Sequence, residues 1–138
     1  MEQAEKKRGK EDIAMIKLTI TTGTPEDFFA RGKELARKLD RGERVEPENL
    51  IMFEDPGDLL GLVTTARIDL FKAVKEEPGS IADIARRLHR DRSAVKRDVD
   101  ILTAAGLLEV EVKPFQGHGR MKWVKASAKK FNLMAQVG

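Results

Sequence analysis

The sequence of 138 residues contains no cysteine and no tyrosine, and it has only two histidines, His89 and His118. Without cysteine, the chain can form neither a disulfide nor a thiolate metal site, and this composition fits a reducing compartment. Two histidines alone do not supply the ligand clusters that metal-sensing proteins use. We therefore predict that the chain binds no metal and no cofactor, and that it is cytoplasmic.

Long apolar segments are also missing from the sequence. Uncharged runs such as residues 18–25 are much shorter than the roughly 20 apolar residues that cross a bilayer. The basic residues near the N-terminus lead into Glu11 and Asp12 rather than into an apolar stretch, so no secretory signal is predicted. We expect no membrane partner, and the length suits one compact domain with an extension.

Sequence motifs of the common enzyme classes are absent as well. The chain has no phosphate-binding loop of the G-x-x-x-x-G-K type, no nucleophile elbow and no paired-histidine metal motif. We therefore predict that the protein is not an enzyme and that it has no catalytic residues.

The net charge of +3 hides an uneven distribution of charge along the chain. Residues 1–55 carry 11 basic and 13 acidic side chains, a net of −2, whereas residues 107–138 carry 6 and 2, a net of +4. Between them, residues 86–97 hold six basic side chains against Asp91 alone, a net of +5. Such a cluster indicates either a face that binds a polyanion or a helix face that is merely solvated.

The first part of the chain has the pattern of a strand, a helix and a second strand. Residues 1–12 are polar and are predicted to be a flexible N-terminus. Within residues 13–55, alternating Ile16, Leu18 and Ile20 predict one strand, and residues 49–54 predict another. The helix between them has apolar residues at helical spacing, which we expect to pack in the core: Phe28, Gly32, Leu35, Ala36 and Leu39.

Residues 56–126 begin with a short, mostly buried helix that is predicted to start at Pro56, and they continue in the order helix, helix, helix and β-hairpin. Helices are predicted near residues 65–77, 81–89 and 92–105, and a hairpin over residues 107–125, where Leu108, Val110 and Val112 alternate with charged residues. Residues 127–138 are predicted to form a tail or a short helix around Phe131 and Met134. Helix starts are predicted at the capping residues Thr24, Asp55, Thr64 or Thr65, Ser80 and Asp91.

Two short helices joined by a tight turn, with a basic second helix, are typical of a helix-turn-helix. If Val95, Val99 and Leu102 face inward, the basic and polar residues of helix 92–105 face outward. Arginine can bridge two acceptors on guanine, whereas lysine and serine can contact phosphate. Asp98 is expected to pair with Arg86, Arg87 or Arg90 and to organise the helix junction. The residues predicted to contact DNA in this region are Arg90, Arg92, Ser93, Lys96 and Arg97.

Three segments carry a resemblance to a known family: SIADIARRL at residues 80–88, DRSAVKRDVDIL at 91–102 and AGLLE at 105–109. The chain resembles the winged-helix core of prokaryotic transcriptional regulators of the MarR/ArsR type over residues 56–125. The resemblance implies a recognition helix at 92–105 and a hairpin wing at 107–125. It also implies that the wing contacts the minor groove or the phosphate backbone through Lys113, His118, Arg120 and Lys122. A narrower resemblance is to small archaeal and bacterial winged-helix proteins, some of which are antitoxins.

We therefore expect an α+β fold, namely a winged helix-turn-helix with a three-helix core and a β-hairpin wing, preceded by a strand–helix–strand extension. The expected function is sequence-specific binding of double-stranded DNA by a homodimeric transcriptional regulator, most often a repressor in such families. MarR-type proteins dimerise through long terminal helices, which this chain lacks at its start, so their dimer geometry does not carry over. The alternative is an antitoxin whose residues 13–55 neutralise a toxin. The same unit is equally suited to homodimerisation.

Overall fold

The computed structural model describes residues 17–117 and 119–137. The predicted flexible N-terminus, the first predicted strand residue Ile16 and the predicted wing residue His118 lie outside the described residues. The front of the chain forms β1 (Lys17–Thr22), α1 (Pro25–Asp40) and β2 (Glu48–Phe53). The remaining elements are α2 (Pro56–Leu62), α3 (Thr65–Glu76), β3 (Gly79–Ser80), α4 (Ile81–Leu88), α5 (Arg92–Ala104), β4 (Leu108–Phe115), β5 (Gly119–Ala126) and β6 (Phe131–Leu133).

Each helix begins at a polar residue whose side chain accepts a hydrogen bond from a backbone N–H of the first turn. These residues are Thr24, Asp55, Thr64, Ser80 and Asp91, as predicted. At the start of α1 the Asp27 carboxylate also accepts from the backbone N–H of Thr24, which completes a capping box. None of the helices in the described part of the chain is long and apolar enough to cross a membrane.

The two N-terminal strands and the C-terminal strand form a parallel sheet in the order β2–β1–β6. Ile20 in the central strand is paired with Ile51 on one side and with Leu133 on the other. The short helix predicted around Phe131 is therefore wrong, since Phe131–Leu133 forms a strand. The reason is that β1 offers unpaired backbone groups along its second edge, which the C-terminal segment satisfies. The Phe131 ring also packs edge-on against Phe71 of α3, with 4.7 Å between ring centroids.

The second sheet is antiparallel and has the order β3–β5–β4. The hairpin β4–β5 pairs Val110 with Val124 and Lys113 with Met121, which confirms the predicted hairpin. Gly106 has a φ of +85°, and the left-handed backbone there ends α5 and turns the chain into β4. Helices α3, α4 and α5 with this hairpin form a winged helix-turn-helix, and the fold is α+β as predicted.

One buried cluster joins the front sheet to the helix-turn-helix. Leu18 and Ile20 of β1 belong to the same core as Leu70 of α3 and Val99 of α5. Helix α2 contacts β1 and β2, and its Leu59 belongs to the same core. The strand–helix–strand segment thus shares its core with the winged helix instead of having one of its own.

The prediction that the apolar stripe of α1 packs in the core is wrong. No residue of α1 is buried, and Phe28 and Phe29 are 54% and 69% exposed. Periodicity shows that a helix has an apolar face, and it does not show what covers that face. In this protein, Leu18 and Ile20 of the neighbouring strand are covered by elements other than α1.

Candidate nucleic-acid interface

The turn between α4 and α5 consists of three residues, His89, Arg90 and Asp91. His89 has a φ of +53° and is the one residue with a left-handed backbone among the non-glycine residues that the structure describes. The N–H of His89 donates to the carbonyl of Arg86 at 3.3 Å, and the N–H of Arg90 donates to that of Ala85 at 3.0 Å. These bonds close the end of α4 and fix the direction in which α5 leaves it. The predicted place of His89 in the turn is confirmed.

A buried carboxylate holds α5 in position. Asp98 accepts hydrogen bonds from Nη2 of Arg90 at 2.7 Å and from Nε of Arg67 at 3.1 Å. Arg67 also donates through Nη1 to the carbonyls of Gly61 and Leu62, at 2.7 and 2.9 Å. Asp98 therefore connects α5 to α3, to the end of α2 and to the turn. Of the three predicted partners of Asp98, only Arg90 pairs with it in the described part of the chain, and Arg67 was not among the predicted partners.

The electrostatics of Asp98 follow from these contacts. Burial by itself raises the pKa of this carboxyl, but the hydrogen bonds and charges of Arg90 and Arg67 outweigh it and lower the pKa below its usual range. Asp98 is thus ionised at neutral pH, and it binds the guanidinium of Arg90, whose side chain is only 26% exposed. The structure therefore places Arg90 at the helix junction, and its predicted contact with DNA stays a prediction.

The outer face of α5 carries the other predicted contacts. Arg92, Ser93, Lys96 and Arg97 are all exposed, whereas Val95 and Val99 on the opposite face are buried. Lys96 Nζ lies 3.0 Å from a carboxylate oxygen of Asp100, one helical turn further on. Within residues 17–117 and 119–137, neither Arg92 nor Arg97 forms an ion pair, so both guanidinium groups are available to a ligand.

Ser93 is partly engaged by the cap of its own helix. The Ser93 hydroxyl donates to the carboxylate of Asp91, which also accepts from the Ser93 backbone N–H at 3.2 Å. The hydroxyl bond is the main cause of a lowered pKa at Asp91. Ser93 can donate to DNA only by releasing this bond.

The wing presents three cations on two paired strands. Lys113 of β4 and Arg120 and Lys122 of β5 are exposed, and Gly117 and Gly119 at the hairpin tip have φ values of +87° and +75°. The ammonium of Lys113 lies 4.8 Å from the centroid of the Trp123 ring, a cation–π contact that holds it close to the wing surface.

A groove of about 420 Å³ separates the start of α5 from the wing. Arg92 and Lys96 of α5 and Arg120 and Lys122 of β5 line it. No acidic side chain of the described residues lies in its lining. Four cations on two facing elements concentrate positive potential between them, which favours a ligand with several negative charges. We refer to this feature as the basic groove.

The start of α4 completes the basic groove, since Ser80, Ile81 and Ala82 also line it. The first N–H groups of a helix have no intrahelical acceptor and carry partial positive charge, so they attract phosphate oxygens. The predicted DNA contacts do not include these three lining residues, although the predicted cap at Ser80 located this helix start. The predicted contacts Arg90, Ser93, Arg97 and Lys113 are not part of the groove lining.

Comparison with known proteins gives distant similarities only. Residues 62–126, just under half of the chain, match the family model described as HVO_A0114. No curated protein matches the chain at a significant level.

Among solved structures, a possible transcriptional regulator from Methanosarcina mazei Go1 is 22% identical over 51% of this chain, with a TM-score of 0.44. The PcaV transcriptional regulator from Streptomyces coelicolor is 21% identical over 75% of this chain, with a TM-score of 0.43. The transcriptional regulator BldR from Sulfolobus solfataricus is 23% identical over 75%, with a TM-score of 0.40 and 69% of its own length covered. The chain spans 63% and 62% of the first two proteins.

Proposed function

We propose that this protein is a DNA-binding transcriptional regulator. The observation that carries the proposal is the basic groove, in which Arg92 and Lys96 of a helix-turn-helix face Arg120 and Lys122 of a wing. Phosphate contacts by lysine and arginine supply nearly all of the non-specific affinity of proteins for DNA and a large share of the specific affinity. A solvated helix face does not require a second basic element opposite it, so the groove favours binding of a polyanion.

The mode of binding follows from the exposure of each cation. An α-helix fits the major groove of DNA, and its first residues reach the base edges. Arg92 and Arg97 have no ion-pair partner among the described residues, so they are the candidates for bidentate contacts to guanine. Lys113, Arg120 and Lys122 are proposed to contact the phosphate backbone or the adjacent minor groove.

The proposed active form is a homodimer that acts as a repressor. Dimeric helix-turn-helix proteins bind two half-sites about one DNA turn apart. Selection of bound duplexes from a random pool by the 138-residue chain tests this function. We expect an imperfect inverted repeat with half-site centres about 10 base pairs apart. A pool that shows no enrichment after repeated rounds contradicts sequence-specific binding.

A second candidate function is neutralisation of a protein toxin by the front of the chain. The exposed apolar residues of α1 favour a protein contact in that region. Co-expression with the product of the neighbouring gene distinguishes this candidate, because an antitoxin forms a stable complex with that product. The two functions are compatible, since an antitoxin can also repress its own operon.

A further inference from the structure

Helix α1 presents an apolar face that the rest of the described chain leaves uncovered. We define the apolar face of α1 as Phe28, Phe29, Gly32, Leu35, Ala36 and Leu39, which recur on successive turns. Its four large residues are 43–69% exposed, and none of the six belongs to the buried core. Soluble monomers rarely expose a continuous apolar patch larger than a few hundred Å².

The face is presented by a well-formed helix. A complete capping box starts α1, and Arg31 joins it to β2 through an ion pair with Glu48 at 3.2 Å. A helix that is anchored in this way loses little conformational freedom when its outer face is covered, so binding costs less ordering entropy than it would for a mobile segment.

We propose that a second copy of this chain covers the apolar face of α1, with the two α1 helices antiparallel. Charge supports this arrangement. The first turn of α1 carries Glu26 and Asp27, a net of −2, and its last turn carries Arg37 and Lys38 against Asp40, a net of +1. An antiparallel pair places the acidic end of each helix beside the basic end of the other, whereas a parallel pair opposes like charges.

Shape supports the same arrangement. Gly32 lies at the middle of the face, and a Cβ added there meets nothing within 4 Å. When two antiparallel helices cross at Gly32, Phe28 of one copy lies opposite Ala36 of the other, and Phe29 lies opposite Leu35. Small residues at such a crossing let the backbones approach closely, and large residues opposite small ones fill the space between the helices.

The area is sufficient for a dimer when the flanking residues take part. Because an aromatic side chain can bury about 150–250 Å², the exposed fractions of the two phenylalanines correspond to about 250 Å². The two leucines bring the patch to roughly 400 Å² per copy, within the usual range for functional patches. A standard interface needs about 600–800 Å² per partner, so the charged side chains beside the stripe contribute the remainder.

This inference rests on the homodimer of the proposed function, and its test separates the two. The mass of the 138-residue chain in the absence of DNA is measured by light scattering over a dilution series. We expect a dimer. Its dissociation constant should be at least tenfold higher in the double variant Phe28→Ser/Phe29→Ser. The matched control is Leu60→Ser, which removes an equally exposed apolar side chain from α2 and leaves the dimer unchanged.

A charge swap tests the antiparallel arrangement without touching the apolar residues. Glu26→Lys alone and Lys38→Glu alone should each weaken the dimer several-fold, and the two together should restore it. Circular dichroism shows whether each variant remains folded. The inference is overturned if the natural chain is monomeric, if the phenylalanine variant dimerises normally, or if the double swap is weaker than either single change.

Binding to one DNA half-site, measured separately by fluorescence anisotropy, distinguishes the two proposals. A dimer that binds no DNA supports the inference and contradicts the proposed function. A monomer that binds DNA does the opposite, and a monomer that associates only with the product of the neighbouring gene assigns the face to a protein partner and overturns the inference.

Discussion

Helices α1 and α5 have the same amphipathic pattern, but only the apolar face of α5 is buried. In α5 the apolar stripe of Val95, Val99 and Leu102 is buried to 2% exposure or less, whereas every residue of α1 is exposed. The difference comes from their partners, since α5 lies against α3, α4 and the wing, and α1 has no comparable neighbour. Equal periodicity therefore indicates two different roles, a core helix that displays its polar face and a surface helix that displays its apolar face.

The largest expected effect is a difference in the free energy of unfolding between matched leucine-to-alanine substitutions in α5 and α1. Leu102→Ala in α5 should lower the free energy of unfolding by about 3 kcal/mol, because it leaves a cavity at a fully packed site. Leu39→Ala in α1 removes the same atoms from a side chain that is 58% exposed, and it should cost less than about 0.5 kcal/mol in the monomer.

Urea denaturation at several protein concentrations measures both values. For Leu39→Ala, any larger loss should appear only at concentrations at which the protein dimerises, because a partner stabilises by mass action. Equal losses in the two helices at low concentration contradict the comparison.

Removal of the carboxylate that anchors α5 has the next largest effect. Asp98→Ala should cost about 2–3 kcal/mol, somewhat below the usual value for a broken buried ion pair, because Arg90 is partly exposed and can regain water. Asp100→Ala is the control, since its exposed pair with Lys96 contributes only about 0.5 kcal/mol. Thermal or urea unfolding at neutral pH measures both losses, and a loss at Asp98 no larger than that at Asp100 argues against an anchoring role.

The pH dependence of this anchor has a defined sign. The pKa of Asp98 lies below its ordinary value of 3.8 in the folded protein. Its stabilising effect is therefore fully present above that value and is lost as the pH falls through the folded-state pKa. Unfolding curves between pH 7 and pH 2 should show an acid-dependent loss of stability that is smaller in Asp98→Ala. Parallel pH profiles for the two proteins contradict this assignment.

The proposed role of the exposed face of α5 is tested by the sequence preference of DNA binding and not by the stability of the fold. Arg97→Ala should leave folding unchanged and weaken binding to the selected site by about 1–3 kcal/mol, with little effect on random DNA. Anisotropy titrations on both duplexes measure the ratio. An equal loss on the two duplexes makes Arg97 a phosphate contact instead.

Local signals explain which parts of the fold could be predicted. The helix starts at Thr24 and Ser80 and the turn at Gly106 depend on neighbouring residues, so the sequence alone located them. The pairing of β6 with β1 and the bond between Arg67 and Asp98, 31 positions apart, depend on long-range packing that no local pattern reports. The exposure of α1 was missed for the same reason.

The candidate site was predicted in part. The outward direction of Arg92 and Lys96 follows from the helical period once Val95 and Val99 are assigned to the core. That Arg120 and Lys122 face these same residues across one groove could only come from the hairpin register and its position against α5. A count of charges along the sequence does not show which of them are already paired. Arg90 belongs to the basic cluster of residues 86–97, but its guanidinium is bound to Asp98.

The salt dependence of DNA binding tests the central claim most directly. If Lys96, Arg120 and Lys122 of the basic groove neutralise phosphates while Arg92 contacts a base, the logarithm of the constant for binding of one protomer to one half-site should fall with the logarithm of the salt concentration at a slope of about −3. Lys122→Ala should flatten the slope by about 1, and Lys72→Ala, an exposed lysine of α3 outside the groove, should leave it unchanged. Binding that is indifferent to salt, or equally sensitive in both variants, contradicts the assignment of the groove to DNA.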